Sequence, residues 1–215
     1  HVRIVFVRGA GETFCAGADI DRMRRQGERD AKDNEADALA AARMFKALHD
    51  LPQLTVALIQ GAAMGGGAGL AAACDVAVAV KSTAFRFSEV RLGIVPATIS
   101  PFVVEAIGPR WAKALFASAE SFDGAFAERI GLVQYCVDDI ESLDHVAEHL
   151  AGLAFAAAPG AVADAKALVR HVTGHAIDDS LLKEAARRLA ARRGSPEGRE
   201  GLTAFLEKRK PSWDV

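Results

Sequence analysis

Four glycines stand within five positions of the run GAAMGGGAGL at residues 61 to 70: Gly65, Gly66, Gly67 and Gly69. Glycine inside a structured segment costs backbone entropy, so a cluster implies a close approach to the main chain. A nucleotide-phosphate cradle would need G-x-G-x-x-G or G-x-x-x-x-G-K-[ST], and neither pattern is present. A tight strand–helix junction explains one or two of the glycines and leaves the rest. An oxyanion site is the third reading. A strand that ends in a glycine-rich turn at a helix N-terminus exposes backbone N–H groups, and the helix dipole favours negative charge there.

A one-armed oxyanion site is weak. A second glycine-containing turn, FCAGADI at residues 14 to 20, follows the first strand in the same way. Two such turns, each presenting one N–H, could grip a thioester or ester oxygen from both sides and stabilise an enolate. Enolate chemistry then requires a proton-transfer group, most often a carboxylate or histidine. Glu89 lies in FRFSEVRLGIVP, flanked by Phe87, Val90 and Leu92. From these surroundings alone, an ion-paired structural role with Arg86 or Arg91 outweighs a catalytic one. Asp19 and Asp75 each follow a run of small residues at a segment end and read as caps. His49, His145, His171 and His175 have no neighbouring nucleophile pattern, and the absence of G-x-S-x-G leaves a hydrolase elbow unsupported. No metal site is expected.

These groups need elements to hold them. VRIVFVRG gives a strand over residues 2 to 8. Residues 33 to 49 carry Leu39, Ala42, Phe45 and Leu48 at helical spacing, with Pro52 beyond the end. LTVALIQG reads as a buried strand, AGLAAACD as a short buried helix and VAVAV as a third strand. FRFSE is a candidate short fourth strand. VPATISPFVVEAIG and PRWAKALFAS read as helices, with Pro109 suited to a first turn. FDGAFAERIG forms a helix closed by Gly131, LVQYCV another strand, and from residue 141 onward nearly everything is helical. The chain is therefore α/β with a helical C-terminal third, divided into a core over 1–140 and a helical region over 141–215.

The bulk properties fit one domain. The 215 residues are 51% apolar and 25% charged, with a formal net charge of −2. Only EKRK near the end concentrates basic residues, so no nucleic-acid partner is expected. No apolar run reaches bilayer-spanning length, and no membrane partner is expected. Cys15, Cys74 and Cys136 are widely spaced in apolar surroundings, as buried free thiols in a reducing cytoplasm would be. The chain starts at His1 and enters a strand at once, as a fragment with a missing first layer would.

Five blocks, GETFCAGADI, GAAMGGGAGLAAACDVAVA, FRFSEVRLGIVPATISPF, FDGAFAERIGLV and EGREGLTAFLEKRKPSW, resemble in order those of the crotonase (enoyl-CoA hydratase/isomerase) family. The likeness runs from Val2 to Trp213. It implies an α/β spiral of ββα units followed by a helical trimerisation region, and a homotrimer or a hexamer of paired trimers. The substrate would be an acyl-CoA thioester, with coenzyme A entering as part of it and no separate cofactor. The resemblance assigns the oxyanion N–H groups to Ala18 and Gly66 and makes Glu89 the acid/base. It places CoA contacts at Cys15, Ala16, Asp19, Ile20 and Gly65. Phe205 and Lys208 match positions that often touch CoA; one buried aromatic and one solvated lysine on a helix explain them equally. Gly69 stands where typical hydratases carry a second glutamate, which by itself favours an isomerase. GGGAGL with FSEVRLGIVPATISPF nevertheless looks like a bacterial methylglutaconyl-CoA hydratase-like subgroup, whose members handle branched, carboxylated enoyl-CoAs. A substrate carboxylate could find Arg86 or Arg91, and Arg91 is equally explained as a surface residue.

Overall fold

A computed structural model describes residues 2–214. The first unit of the chain is β1 (Ile4–Arg8), a loop, α1 (Ile20–Gly27) and α2 (Ala31–His49). Two ββα units follow: β2 (Leu54–Ile59), β3 (Ala62–Met64) and α3 (Gly66–Ala73), then β4 (Val76–Val80), β5 (Ala84–Arg86) and α4 (Ser100–Ser118). The remainder is α5 (Gly124–Arg129), β6 (Tyr135–Val137), α6 (Ile140–Ala156), α7 (Pro159–Val172), α8 (Asp179–Arg193) and α9 (Pro196–Leu206).

The first strand of each ββα unit joins a four-stranded sheet, ordered β1-β2-β4-β6. The second strand joins a smaller sheet, β3-β5. The β2–β4, β4–β6 and β3–β5 pairs are all parallel. Helices cover parallel strands, so β2 and β4 read as unbroken apolar runs rather than alternating ones. Val56, Ala57, Ile59, Val78 and Ala79 are accordingly buried. Around them packs a core of Phe14, Phe45, Phe85, Phe87, Ile99, Phe102, Val103 and Leu132, among others.

Local chemistry sets the element ends. Asp19, Asp30 and Asp123 cap α1, α2 and α5 by accepting from the N–H three residues on. The cap expected at Asp19 is therefore present. Asp75 instead ties the end of α3 to the start of β2, accepting from both the N–H and the hydroxyl of Thr55. The two helices expected around Pro109 form α4, broken at Gly108 (φ 72°, ψ 161°). The first of them starts later than expected, at Ser100, because Val95–Ile99 turn around Pro96. Among the described residues the cysteines are half-buried and form no disulfide, and they are less enclosed than their apolar neighbours suggest.

The chain forms two compact units. One comprises Val5–Asp50 and Thr55–Glu148, and the other gathers Leu51–Leu54 with the chain from His149 onward and its first few residues. In the second, Lys166 Nζ reaches the carbonyls of Leu51 and Gln53 at 2.7 Å each. Arg192 pairs with Asp164 and Glu197, and Arg209 holds Glu200. Among the described residues, no single helix is long and apolar enough to cross a membrane.

Candidate active site

The small sheet builds the site. Cys15 forms an isolated parallel bridge to Ala63, donating its N–H to Ala62 O at 3.0 Å and accepting from Met64 N at 2.9 Å. Ala63 in turn stands opposite Phe85. Three parallel segments are thus aligned on Cys15, Ala63 and Phe85, and all three turn away at their C-terminal ends. The third residue beyond each alignment point is Ala18, Gly66 and Ser88, and Glu89 comes next. Open α/β sheets bind ligands at the carboxyl ends of their strands.

The glycines have separate tasks. Gly65 adopts φ 50°, ψ −115°, outside the regions open to residues with a Cβ. Its N–H is committed to Arg86 O at 2.8 Å. The next N–H, that of Gly66, is the first in α3 and has no intrahelical acceptor. Gly17 has φ +109°, which swings the chain so that Ala18 follows the turn. Among the described residues no hydrogen bond leaves the N–H of Ala18 or Gly66. Gly67 lets α3 press on the neighbouring segment, since a Cβ there would lie 2.7 Å from Cys15 Cβ. Phe45, from α2, lies against Gly66, with its Cζ 3.7 Å from where a Cβ would be.

Glu89 begins a short 3-10 turn, Glu89–Leu92, just after β5. Its Oε1 lies 3.2 Å from the position a Gly65 Cβ would take. Its Oε2 is buried with no hydrogen-bond partner among the described residues. Glu89 makes no ion pair there with Arg86 or Arg91, contrary to the structural role its sequence neighbours favoured. Arg91 is exposed and the Nε of Arg86 is itself buried without a partner. Burial pushes the Glu89 carboxyl above its ordinary value, opposed only by the hydrogen bond from its own backbone N–H. A half-buried carboxyl with one buried, unpaired oxygen, at the same strand-end level as two unused N–H donors, can move a proton next to an oxygen that is gaining charge.

Gly69 is closed off. A Cβ there would meet Ile99 Cγ2 at 2.3 Å, Ile99 Cβ at 2.8 Å and Phe45 Cε1 at 3.3 Å. The position matched to a second glutamate is therefore filled with hydrocarbon.

The other candidates fall in two groups. Cys15 is half-buried in the bridge and Ala16 is exposed beyond it. Asp19 spends its carboxylate capping α1 through Arg22 N at 2.8 Å, and Ile20 is exposed at the start of that helix. Phe205 and Lys208 belong to the second compact unit. Phe205 is 82% exposed in the single chain, so the buried-aromatic reading fails there. Lys208 has φ 54° and leaves α9 in a left-handed turn. Sequence reasoning passed over Ser88, Phe45 and Ile99. Ser88 had one signal, as a polar residue beside Glu89 in an otherwise apolar stretch. It also passed over the four-residue spacing of His171 and His175, whose rings stack at 5.7 Å. Among the described residues no three His, Cys, Asp or Glu side chains group to hold a metal ion.

The enoyl-CoA hydratase/isomerase family profile matches residues 1–215. An enoyl-CoA hydratase, AKT6-1, of Alternaria alternata is 34% identical over 210 residues, covering 97% of this chain and 68% of the relative. The structure of an enoyl-CoA hydratase from Shewanella pealeana superposes with TM-score 0.94 at 38% identity, over 98% of this chain and 78% of that one. Pseudomonas aeruginosa AtuE superposes with TM-score 0.93 at 40% identity, over 99% and 82%. The chain belongs to the enoyl-CoA hydratase/isomerase family, and its fold is the crotonase-like α/β arrangement expected from the five sequence blocks.

Proposed function

We propose that the chain is an enoyl-CoA hydratase, a carbon–oxygen lyase that adds water to a 2-enoyl-CoA. The thioester oxygen lies between the N–H groups of Ala18 and Gly66, which stabilise the enolate formed as water attacks Cβ. Removing one such donor typically costs about 2.7–4 kcal/mol of transition-state stabilisation. Glu89 takes a proton from water and delivers it to Cα. The observation that carries this reading is the unpaired, half-buried Glu89 carboxyl at the same strand-end level as two unused backbone donors. The FSEVRLGIVPATISPF block suggests a branched or carboxylated substrate such as 3-methylglutaconyl-CoA. The CoA moiety runs along Cys15, Ala16, Asp19 and Ile20 beside Gly65, with Phe205 and Lys208 contributed by a neighbouring copy in a homotrimer or hexamer. No further cofactor takes part, and the setting is cytoplasmic.

One observation favours a second reading. Ile99 and Phe45 close the Gly69 position, leaving a single carboxyl, and an enoyl-CoA isomerase needs only one base to move a proton from Cα to Cγ. The test follows the near-ultraviolet absorbance of the conjugated thioester with crotonyl-CoA, 3-methylglutaconyl-CoA and a 3-enoyl-CoA. Hydration removes the absorbance of a 2-enoyl-CoA, and Glu89→Gln should slow that by about 10²–10⁴-fold. A gain of absorbance from the 3-enoyl-CoA alone replaces the hydratase with the isomerase. Tight acyl-CoA binding without turnover, unchanged in Glu89→Gln, leaves an acyl-CoA-binding scaffold.

A further inference from the structure

Hydration with one carboxyl leaves a gap in the chemistry. The attacking water needs a second partner to fix its oxygen while Glu89 takes its proton, and the α3 face at Gly69 is closed by Ile99 and Phe45. Ser88 is the polar side chain of the site without a task so far. It stands level with Ala18 and Gly66 in the three-segment register, one residue before Glu89. It also precedes the Glu89–Leu92 turn, where a serine normally folds its hydroxyl back onto an N–H two or three residues on. Ser88 makes no such bond. Among the described residues its hydroxyl has no hydrogen-bond partner at all.

The hydroxyl faces the space over Gly65 instead. Ser88 Oγ lies 3.7 Å from the position a Gly65 Cβ would occupy, and Glu89 Oε1 lies 3.2 Å from the same position. A side chain at residue 65 would fill that space, and glycine keeps it open. A hydroxyl and a carboxyl therefore border one small opening beside the Gly66 N–H, and the second oxygen of the carboxyl is buried and unpaired.

We propose that the Ser88 hydroxyl is the second hydrogen-bonding group that holds the reacting water. This rests on the hydratase reading. A serine hydroxyl can donate and accept at once, so it can fix the water oxygen without changing its own protonation. The water oxygen forms a bond to Cβ and one water proton passes to Glu89. The electrons of the double bond shift onto the thioester oxygen, held as an enolate by Ala18 and Gly66. Glu89 then returns the proton to Cα as the enolate collapses. Water is consumed whole, as OH at Cβ and H at Cα, and Ser88 is a positioning residue throughout.

The full chain is assayed as wild type, Ser88→Ala, Ser88→Thr and Glu89→Gln. Two reactions are read: hydration of crotonyl-CoA, and exchange of the Cα protons of butyryl-CoA in heavy water. Exchange needs Glu89 and the oxyanion donors but no attacking water. Misplacing a reacting group by about 1 Å can cost about 10²-fold. Ser88→Ala should therefore lower kcat for hydration by about 10²-fold, with KM and the exchange rate unchanged. Ser88→Thr, which keeps the hydroxyl, should recover most of the loss. Hydration at the wild-type rate in Ser88→Ala, beside an inactive Glu89→Gln, overturns the role of Ser88 and leaves the hydratase standing. Parallel loss of hydration and exchange in Ser88→Ala also overturns it, because the damage is then general. A wild type that exchanges Cα protons but hydrates no enoyl-CoA overturns the hydratase reading itself.

Discussion

Glu89 pits stability against chemistry in one side chain. Desolvation raises its carboxyl above the ordinary value, so the folded chain binds this proton more tightly than the unfolded chain does. Stability therefore falls as pH rises from the unfolded glutamate value through the raised folded value, and the deficit is complete above it. Glu89→Gln removes the deficit. We expect it to melt above wild type at neutral pH, by about 2–4 °C for each kcal/mol recovered in a chain of this size. The gap should close below the unfolded glutamate value, and a gap that persists there would assign it to another cause. The same shift places the acid limb of kcat/KM above the ordinary glutamate range, since the base form must take the proton from water. The sequence exposed half of this. Of the apolar neighbours that marked Glu89 in the sequence, Phe87 is buried, whereas Val90 and Leu92 are exposed. The nearby arginines suggested an ion pair that the fold does not make among the described residues, because Arg86 ends β5, outside the 3-10 turn, and Arg91 within the turn is exposed.

At the level of elements, the site is a consequence of register. Cys15, Ala63 and Phe85 share one row, so three turns from distant parts of the chain arrive together. The glycine turns were legible as the ends of extended segments. Of the small sheet that aligns them, β5 was anticipated by the short strand FRFSE, whereas β3 was not, because its three residues show too little alternation to identify a strand. The polar helix α1 was hidden for a related reason, since none of its residues is buried to mark a face. The packing of α3 gives a prediction at this scale. Gly69→Glu restores a carboxyl to the sequence but drives its Cβ into Ile99, whose Cγ2 would be 2.3 Å away in a closely packed core. Overpacking of this kind costs about 1–3 kcal/mol. We expect Gly69→Glu to lower Tm without raising hydration, and Gly69→Glu with Ile99→Ala to recover part of the lost Tm. If Gly69→Glu alone keeps its Tm and hydrates faster, the wall is softer than the packing implies.

For the whole molecule, the helical C-terminal part leaves large apolar side chains in solvent. On α9, Phe205 is 82% exposed and Leu206 80%, with Leu202 also exposed, and on α8 Leu182 and Leu189 are exposed. Single exposed apolar residues are ordinary, but neighbouring ones along one helix point to a surface that another molecule covers. The sequence could not separate this case from a helix buried within its own chain, because an aromatic facing the core and one facing a partner carry the same spacing. In the homotrimer or hexamer proposed above, Phe205 would stand where copies meet, near the CoA contact proposed for it. Phe205→Asp places a charge in that apolar contact and should shift the mass measured by light scattering from trimer or hexamer toward monomer. If Phe205 also touches CoA, KM for the acyl-CoA should rise in samples concentrated enough to stay assembled, with kcat less affected, because Ala18, Gly66 and Glu89 all lie in the other compact unit. A monomeric wild type removes the assembly from the argument. An assembled Phe205→Asp with unchanged KM leaves Phe205 as an exposed aromatic with neither role.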